Sequence, residues 1–204
     1  MKGISVSGTG TAAGAPDLAF ISLGVEVMAR SVAEARDAAA SNAAAVLSAL
    51  RSQGLEAADL TTTALSIHPE YDHREGRRLR GYRVTNGVEV KVRSVETVGD
   101  VIDAAVAAGG DTTVVHGVHF AHEDSEHLGA SARDAAWEDA MGKAAQLASL
   151  SGVTLGQVVS ITEQTHGPPI GLVRSMSREA APATPVEPGL LGVTVTIEVQ
   201  FAID

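Results

Sequence analysis

Residues 191–203 read LGVTVTIEVQFAI, and this stretch decides the fold class. Apolar side chains occupy every odd position from Leu191 to Ile203, and small or polar side chains occupy the even positions between them. Successive side chains of a strand point to opposite faces of its sheet, so the alternation predicts a strand with one apolar and one polar face. Strands of this kind are typical of antiparallel sheets that keep one face in water.

Alternating and helical patterns of apolar residues also occur in the rest of the sequence. Further strands are predicted at residues 3–12, 18–28, 60–71, 82–93, 112–121 and 156–165, and helices between the cap at Ser31 and the stop at Gly54, at 95–108 and at 125–151. The strands at 60–71 and 82–93 are expected to form a hairpin across a polar loop. The order of elements predicts an α+β fold, with helices packed on one face of a mainly antiparallel sheet. We expect one domain over residues 1–204.

The helix predicted at residues 125–151 is rich in alanine, which would let its axis lie close to the sheet. Its predicted inward positions are Leu128, Ala132, Ala135, Ala136, Met141, Ala144, Leu147 and Ala148. Five prolines and little periodicity follow between His166 and Gly189. We interpret this stretch as a mobile loop at about 167–189, and expect any protein partner to bind there.

Composition excludes several classes of function. The net charge of -10, with no cluster of Lys and Arg, disfavours binding to nucleic acid. The absence of cysteine excludes disulfides, thiolate metal sites and a cysteine nucleophile. No run is long enough to span a bilayer, and no signal peptide is visible. We therefore expect a soluble, cytoplasmic protein as written, or a periplasmic or secreted one if a signal peptide was trimmed.

Catalytic motifs are not found. The string GTGTAA at residues 8–13 fits a loose dinucleotide fingerprint, but Pro16 and a second strand follow it where a helix would be needed. The nucleophile elbow Gly-x-Ser-x-Gly is absent. We predict that the protein is not an enzyme, with no catalytic residues, no cofactor-binding residues and no cofactor.

Histidines cluster in residues 116–127. His116 and His119 should point to opposite faces if their strand alternates regularly. His122 and His127 are five residues apart, one more than the spacing that brings two imidazoles together on a helix. A preformed tight metal site is therefore not predicted. The candidate ligands for weaker binding of a divalent ion are His119, His122, Glu123 and His127.

Seven short strings carry a family resemblance. They are ISVSGTG at 4–10, PDLA at 16–19, DLTT at 59–62, YD at 71–72, GYRVTN at 81–86, ARDAA at 132–136 and TPVEPG at 184–189. In this order the chain resembles the SIMPL-domain family over nearly its whole length. The resemblance implies an α+β fold without an established catalytic site. It also implies kinship with bacterial envelope proteins that are often exported and are linked to stress tolerance.

Two functions follow as hypotheses. The first is a non-enzymatic, oligomeric assembly or interaction protein, with a stress-related role implied by the resemblance. We expect a homo-oligomer because the last strand carries only Glu198 as a charge before Asp204, and would be poorly defended at a sheet edge. The alternative position for that strand is the middle of the sheet. The second hypothesis is a small-molecule or divalent-metal binder that uses residues 116–127.

Overall fold

The structure, a computed structural model, describes residues 3–72, 78–166 and 184–203. These residues fall into two units that are described separately. Unit 1 contains residues 3–16, 122–166 and 189–203, and unit 2 contains residues 17–72, 78–121 and 184–188. The prediction of one domain over residues 1–204 stays a prediction. Most of the predicted mobile loop at 167–189 lies outside the described residues, which include only its last part from residue 184.

The strands are β1 (Gly3–Gly14), β2 (Leu18–Ala29), β3 (Leu60–Asp72), β4 (Arg78–Val92), β5 (Thr113–Ala121), β6 (Leu155–His166) and β7 (Leu191–Ile203), and the helices are α1 (Val32–Ser52), α2 (Val98–Gly109) and α3 (Glu126–Ser151). Each corresponds to a predicted element, with small shifts at the ends. The α+β class is confirmed. The helices pack against strands, but the strands form two antiparallel sheets in place of the one expected.

Unit 1 is a three-stranded sheet in the order β1-β7-β6, with α3 on one face. The strand β7 pairs with β1 along one side and with β6 along the other. Its odd residues Val195, Ile197, Val199 and Phe201 are buried in the core against α3. The expectation that this last strand lies at an edge is therefore wrong, because β7 has a partner strand on each side and its apolar face forms the centre of the core.

Helix α3 meets the sheet along a narrower stripe than predicted. Its buried residues are spaced by four and are all alanine: Ala132, Ala136, Ala140, Ala144 and Ala148. Leu147, which was predicted to face inward, is 43% exposed. The helix lies so close to the sheet that its fully buried positions hold only methyl groups, while the larger Met141 packs at the side of the core.

Unit 2 is a four-stranded sheet in the order β3-β4-β2-β5. Helices α1 and α2 pack on one face and bury a core of aliphatic residues that includes Ile21, Leu23 and Val90. The predicted cap of α1 is confirmed, since the Glu34 N–H donates to Ser31 Oγ at 3.2 Å and the Ser31 N–H donates to the Glu34 carboxylate at 3.3 Å. These two bonds fix where α1 begins.

The predicted hairpin of β3 and β4 is confirmed, although residues 73–77 at its tip lie outside the described residues. Its register shifts between Thr62 and Ala64 and again between Glu70 and Tyr71. The pairing of β5 with β2 shifts as well, so that His116 has no place in the register. Among the described residues, no helix combines the length and the apolar character needed to cross a membrane.

Candidate interaction surface

Two glycines set the distance between α3 and β1. A Cβ atom at Gly8 would overlap the carbonyl oxygen of Ala136, and a Cβ atom at Gly10 would overlap the carbonyl oxygen of Ala132. The helix backbone therefore rests directly on the strand backbone. This contact draws α3 over β1 and β7, and away from β6, which it touches only lightly.

The outer edge of β1 is capped by side chains of α3. The backbone N–H of Thr9 donates to the Asp139 carboxylate at 2.8 Å, and Lys143 Nζ donates to the carbonyl oxygen of Ser7 at 2.9 Å. Lys143 also donates to Asp139 at 2.6 Å. This bond, together with the Thr9 N–H, lowers the pKa of Asp139 below its usual range. An added strand would need these same backbone groups, so this edge is closed to it.

The register shows where the backbone groups of β6 point. Ser7 directs its carbonyl away from β7, so Ser7 and its partner Glu198 share no backbone hydrogen bonds. Glu198 therefore directs its own N–H and C=O to its other neighbour, β6, where it lies opposite Thr162. Thr162 and Glu198 thus form a hydrogen-bonded pair.

Residues next to Thr162 point the other way, because backbone groups alternate along a strand. The N–H and C=O of Ile161 and Glu163 consequently point away from β7. The register with β7 is irregular up to Ser160 and regular from residue 160 to residue 166. This second half of β6 is a straight edge of the kind that pairs with another strand.

The apolar side chains of β6 are also uncovered. Ile161 lies opposite the buried Val199 and so belongs to the α3 side of the sheet, yet it is 55% exposed. Val158 and Val159 are exposed as well. Since α3 sits over β1 and β7, the apolar face of the sheet extends beyond the helix and ends in solvent.

One ion pair joins β6 to α3. Glu163 is the only charged residue of β6, and both of its carboxylate oxygens accept hydrogen bonds from the guanidinium of Arg133 on α3, at 2.6 and 2.9 Å. The hydrogen bonds to Glu163 raise the pKa of Arg133. Glu163 is therefore paired with a cation of its own unit.

The opposite face of the same sheet is polar. A recess of about 430 Å³ lies across the three strands of unit 1, and its polar lining residues are Ser5, Ser7, Ser160, Thr162, Glu198 and Gln200. They share a face because they pair in rows, such as Ser7, Glu198 and Thr162. The recess is wide and open, as expected for the solvated face of an antiparallel sheet.

In unit 2, Arg83 on β4 links the two neighbouring strands. Its guanidinium donates to Glu70 on β3 at 2.7 Å and to Glu26 on β2 at 3.0 Å. The hydrogen bond from Arg83 is the main cause that lowers the pKa of Glu70. These contacts lie across the sheet and tie three strands together, a structural role that accounts for all three residues.

Asp59 is the one polar residue buried within the described part of the chain. Its carboxylate accepts a hydrogen bond of 3.0 Å from the Glu56 N–H and forms an ion pair with Arg93. The hydrogen bond from Glu56 is the larger cause that lowers the pKa of Asp59, against the opposing effect of burial. The residue fixes the short turn that leads into β3.

The histidine candidates are distributed over both units. His119 belongs to β5 in unit 2 and stacks on Phe20 with ring centroids 4.9 Å apart, whereas His122, Glu123 and His127 belong to unit 1. His122 is half-buried, and its Nε2 has no hydrogen-bond partner in the described structure. Within residues 3–72, 78–166 and 184–203, no three His, Asp or Glu side chains are grouped to hold a metal.

The end of the predicted mobile loop is attached to unit 2. Thr184 donates to the Asp103 carboxylate on α2 from its hydroxyl at 2.6 Å and from its N–H at 3.2 Å. Val186 packs against the core of the unit. Residues 184–188 are thus held in place by bonds that proline content alone did not reveal.

Sequence reasoning also missed the residues that shape the surface of unit 1. Asp139 and Lys143 carry one usable signal, a charge pair at helical i, i+4 spacing. Arg133 and Glu163 carry none, because 30 residues separate them in the sequence.

Fold and surface together define an α+β protein made of two sheet-and-helix units, with exposed apolar side chains on β6 of unit 1. The chain belongs to the SIMPL family, whose model, described as a protein of unknown function (DUF541), matches residues 4–201. The resemblance predicted from the seven strings is thereby confirmed.

Individual relatives cover most of the chain. It is 31% identical over 216 residues to the 26 kDa periplasmic immunogenic protein of Brucella melitensis, covering 98% of this chain and 84% of that protein. It is 30% identical over 186 residues to the uncharacterized protein YggE of Escherichia coli strain K12, covering 90% of this chain and 75% of that protein.

Proposed function

We propose that this protein is a non-enzymatic assembly protein whose copies associate with one another. The observation that carries the proposal is the apolar strand edge that α3 leaves uncovered, where Ile161 is 55% exposed beside the core of unit 1. Aliphatic side chains that continue a core into solvent favour burial against a partner. The backbone groups of Ile161, which point away from β7, would add hydrogen bonds to that burial.

The rival proposal, a small-molecule or divalent-metal binder that uses residues 116–127, has less support. His119 is engaged in a ring stack with Phe20, and His122 packs near Gly14 with its Nε2 buried. Neither side chain presents a free nitrogen beside other ligands. A thermal-shift series with divalent metals distinguishes the two proposals, since a ligand at 100 times its dissociation constant stabilises by about 2.7 kcal/mol.

Light scattering on the purified protein tests the assembly proposal directly. We expect a mass above the 20.8 kDa of one chain at micromolar concentration. Each copy carries a net charge of -10, so added salt should screen repulsion and tighten association between about 0.05 and about 0.5 M. A mass of one chain at every concentration and salt level would refute the proposal.

We also propose a periplasmic location in place of the cytoplasmic expectation. The support is the name of the Brucella relative, a periplasmic immunogenic protein with which the chain shares nearly its full length. Fractionation of cells that express the complete gene tests this, and recovery in the cytoplasmic fraction alone would contradict it. The stress-related role stays a prediction, which survival of a deletion strain under envelope stress would test.

A further inference from the structure

We infer that the recess on the polar face of the unit 1 sheet binds a small molecule that carries hydroxyl groups and one primary ammonium group, the chemistry of an amino sugar. The recess has a volume of about 430 Å³. Small-molecule sites in proteins usually have volumes of about 300 to 1,000 Å³, so the recess is large enough for such a ligand. Its lining residues all belong to unit 1 of a single chain, so binding there does not depend on the proposed self-association.

The lining of the recess selects the class of ligand. Its polar side chains supply four hydroxyls, one amide and one carboxylate, from Ser5, Ser7, Ser160, Thr162, Gln200 and Glu198. None of the described lining residues is a lysine, arginine or histidine, which would favour an anion, or an aromatic residue, on which a flat ring would stack. Hydroxyl, amide and carboxylate oxygens all accept hydrogen bonds, so the recess suits a ligand rich in O–H and N–H donors.

Glu198 provides the single negative charge of the recess. It is the only charged residue of the middle strand β7, and its side chain is exposed. No cation or hydrogen-bond donor among the described residues contacts its carboxylate, whereas Asp139 of the same unit is held by Lys143. A carboxylate surrounded by neutral hydrogen-bonding groups favours a ligand with one positive charge, and the net charge of -10 attracts cations to the whole chain.

The row formed by Ser7, Glu198 and Thr162 matches a primary ammonium group. Ser7 and Thr162 lie opposite Glu198 on the two neighbouring strands, each about 4.8 Å away, so a hydroxyl flanks the carboxylate on either side. An ammonium has three N–H donors and no acceptor, so it can donate once to each of these side chains. A calcium or magnesium ion is less suited, because it requires about six oxygen ligands and the row contains one carboxylate.

A second row of the recess is neutral. Ser5, Gln200 and Ser160 lie opposite one another, two residues along each strand from the first row. Two residues of a strand span about 7 Å. The side chains of this second row both donate and accept hydrogen bonds, as the hydroxyls of a ligand do. A sugar ring with its ammonium over Glu198 can therefore extend its hydroxyls towards the second row.

Calorimetric titration of the full chain with glucosamine tests this inference. The recess is open to water, so we expect weak binding, with a dissociation constant of about 1 mM. N-acetylglucosamine has the same ring and no ammonium, and should bind at least about tenfold more weakly because it forms no ion pair with Glu198. Equal affinity for the two sugars, or no binding of glucosamine at 20 times the expected constant, would overturn the inference.

Two charge variants locate the binding site. Glu198→Gln keeps the size of the side chain and removes its charge, so it should weaken glucosamine binding at least about tenfold. Glu138→Gln is the matched control, because it removes an exposed carboxylate from α3, on the other face of the sheet. We expect its affinity for glucosamine to equal that of the unaltered protein. If the two variants have the same affinity, glucosamine does not bind in the recess and the inference is wrong.

Spermidine tests the contribution of the neutral row, because it is a linear amine without hydroxyls. The double variant Ser5→Ala and Ser160→Ala removes two hydroxyls and no charge, so it should weaken glucosamine binding by about fivefold and leave spermidine binding unchanged. Equal loss for the two ligands would contradict a role for the second row in sugar recognition. If spermidine binding depended on Glu198 and glucosamine did not bind, the assignment to amino sugars would be overturned.

Discussion

The carboxylate of Asp139 accepts a hydrogen bond of 2.8 Å from the backbone N–H of Thr9, on the side of β1 that faces away from β7. It occupies the place that the carbonyl oxygen of an added strand would take. Lys143 Nζ donates to the carbonyl oxygen of Ser7, and so occupies the place that the N–H of an added strand would take. The β1 edge of the unit 1 sheet is therefore closed by its own helix.

Removing this closure should create an adhesive edge. The double variant Asp139→Ala and Lys143→Ala frees the backbone groups of Ser7 and Thr9, so that a strand of another copy can pair with β1. We expect light scattering to show a larger mass than that of the unaltered protein. Glu138→Ala, an exposed change on the same helix, is the control and should leave the mass unchanged. A double variant with the mass of the unaltered protein would show that the cap has no such role.

The close contact of α3 with β1 predicts opposite outcomes for two glycine substitutions. Gly8→Ala adds a methyl group where the Ala136 carbonyl already lies, and we expect it to cost about 3 kcal/mol in the free energy of unfolding. Gly142→Ala on α3 meets nothing within 4 Å and should stabilise by up to about 1 kcal/mol, through helix propensity. Urea unfolding followed by the fluorescence of Trp137 measures both. Equal effects would mean that the helix does not rest on the strand.

Asp59 makes stability depend on acidic pH. Its pKa is lowered in the folded state, so it contributes stability above the ordinary value of 3.8, and this contribution is lost as the pH falls through the folded value. Asp59→Asn should destabilise by about 1 to 2 kcal/mol at pH 7, because the bonds to Glu56 and Arg93 weaken. The difference from the unaltered protein should shrink below pH 3.8. A difference that stayed constant from pH 7 to pH 3 would exclude this account.

The histidine segment gives a prediction about metal content. Protein purified without an affinity tag should contain no stoichiometric zinc or other transition metal, since His119 stacks on Phe20 and the Nε2 of His122 is buried. Elemental analysis by mass spectrometry measures this. Stoichiometric metal that disappears in His122→Ala and persists in His68→Ala, a histidine outside the segment, would establish a metal site and contradict the prediction.

Local patterns predicted the elements well, because alternation and helical spacing are properties of neighbouring residues. The strand at 191–203 and the cap at Ser31 were identified in this way. The pairing of strands was not, since nothing in β7 itself distinguishes an edge from a centre. Its central position depends on β1 and β6, which lie far away in the sequence.

Distances between elements explain the other errors. Leu147 was placed inward by its apolar character, but the glycines of β1 bring α3 so close that the fully buried positions hold only alanine. The opposite orientations expected for His116 and His119 stay a prediction, because they assume regular alternation and the strand is irregular at His116. The surface of unit 1 was missed because the residues that close β1 and join α3 to β6 act through space.

The pairing of β1 with β7 joins the first strand of the chain to the last. During synthesis, residues 17–121, which supply nearly all of unit 2, leave the ribosome together and can pack at once. Unit 1 has to wait, because the middle strand of its sheet is made after β1, α3 and β6. Until β7 is made, β1 lacks its hydrogen-bonded partner strand, and α3 lacks one of the two strands on which it mainly packs. A chain cut short before residue 191 would therefore hold most of unit 2 but lack the central strand of unit 1, which makes the synthesis of β7 the step that allows unit 1 to fold.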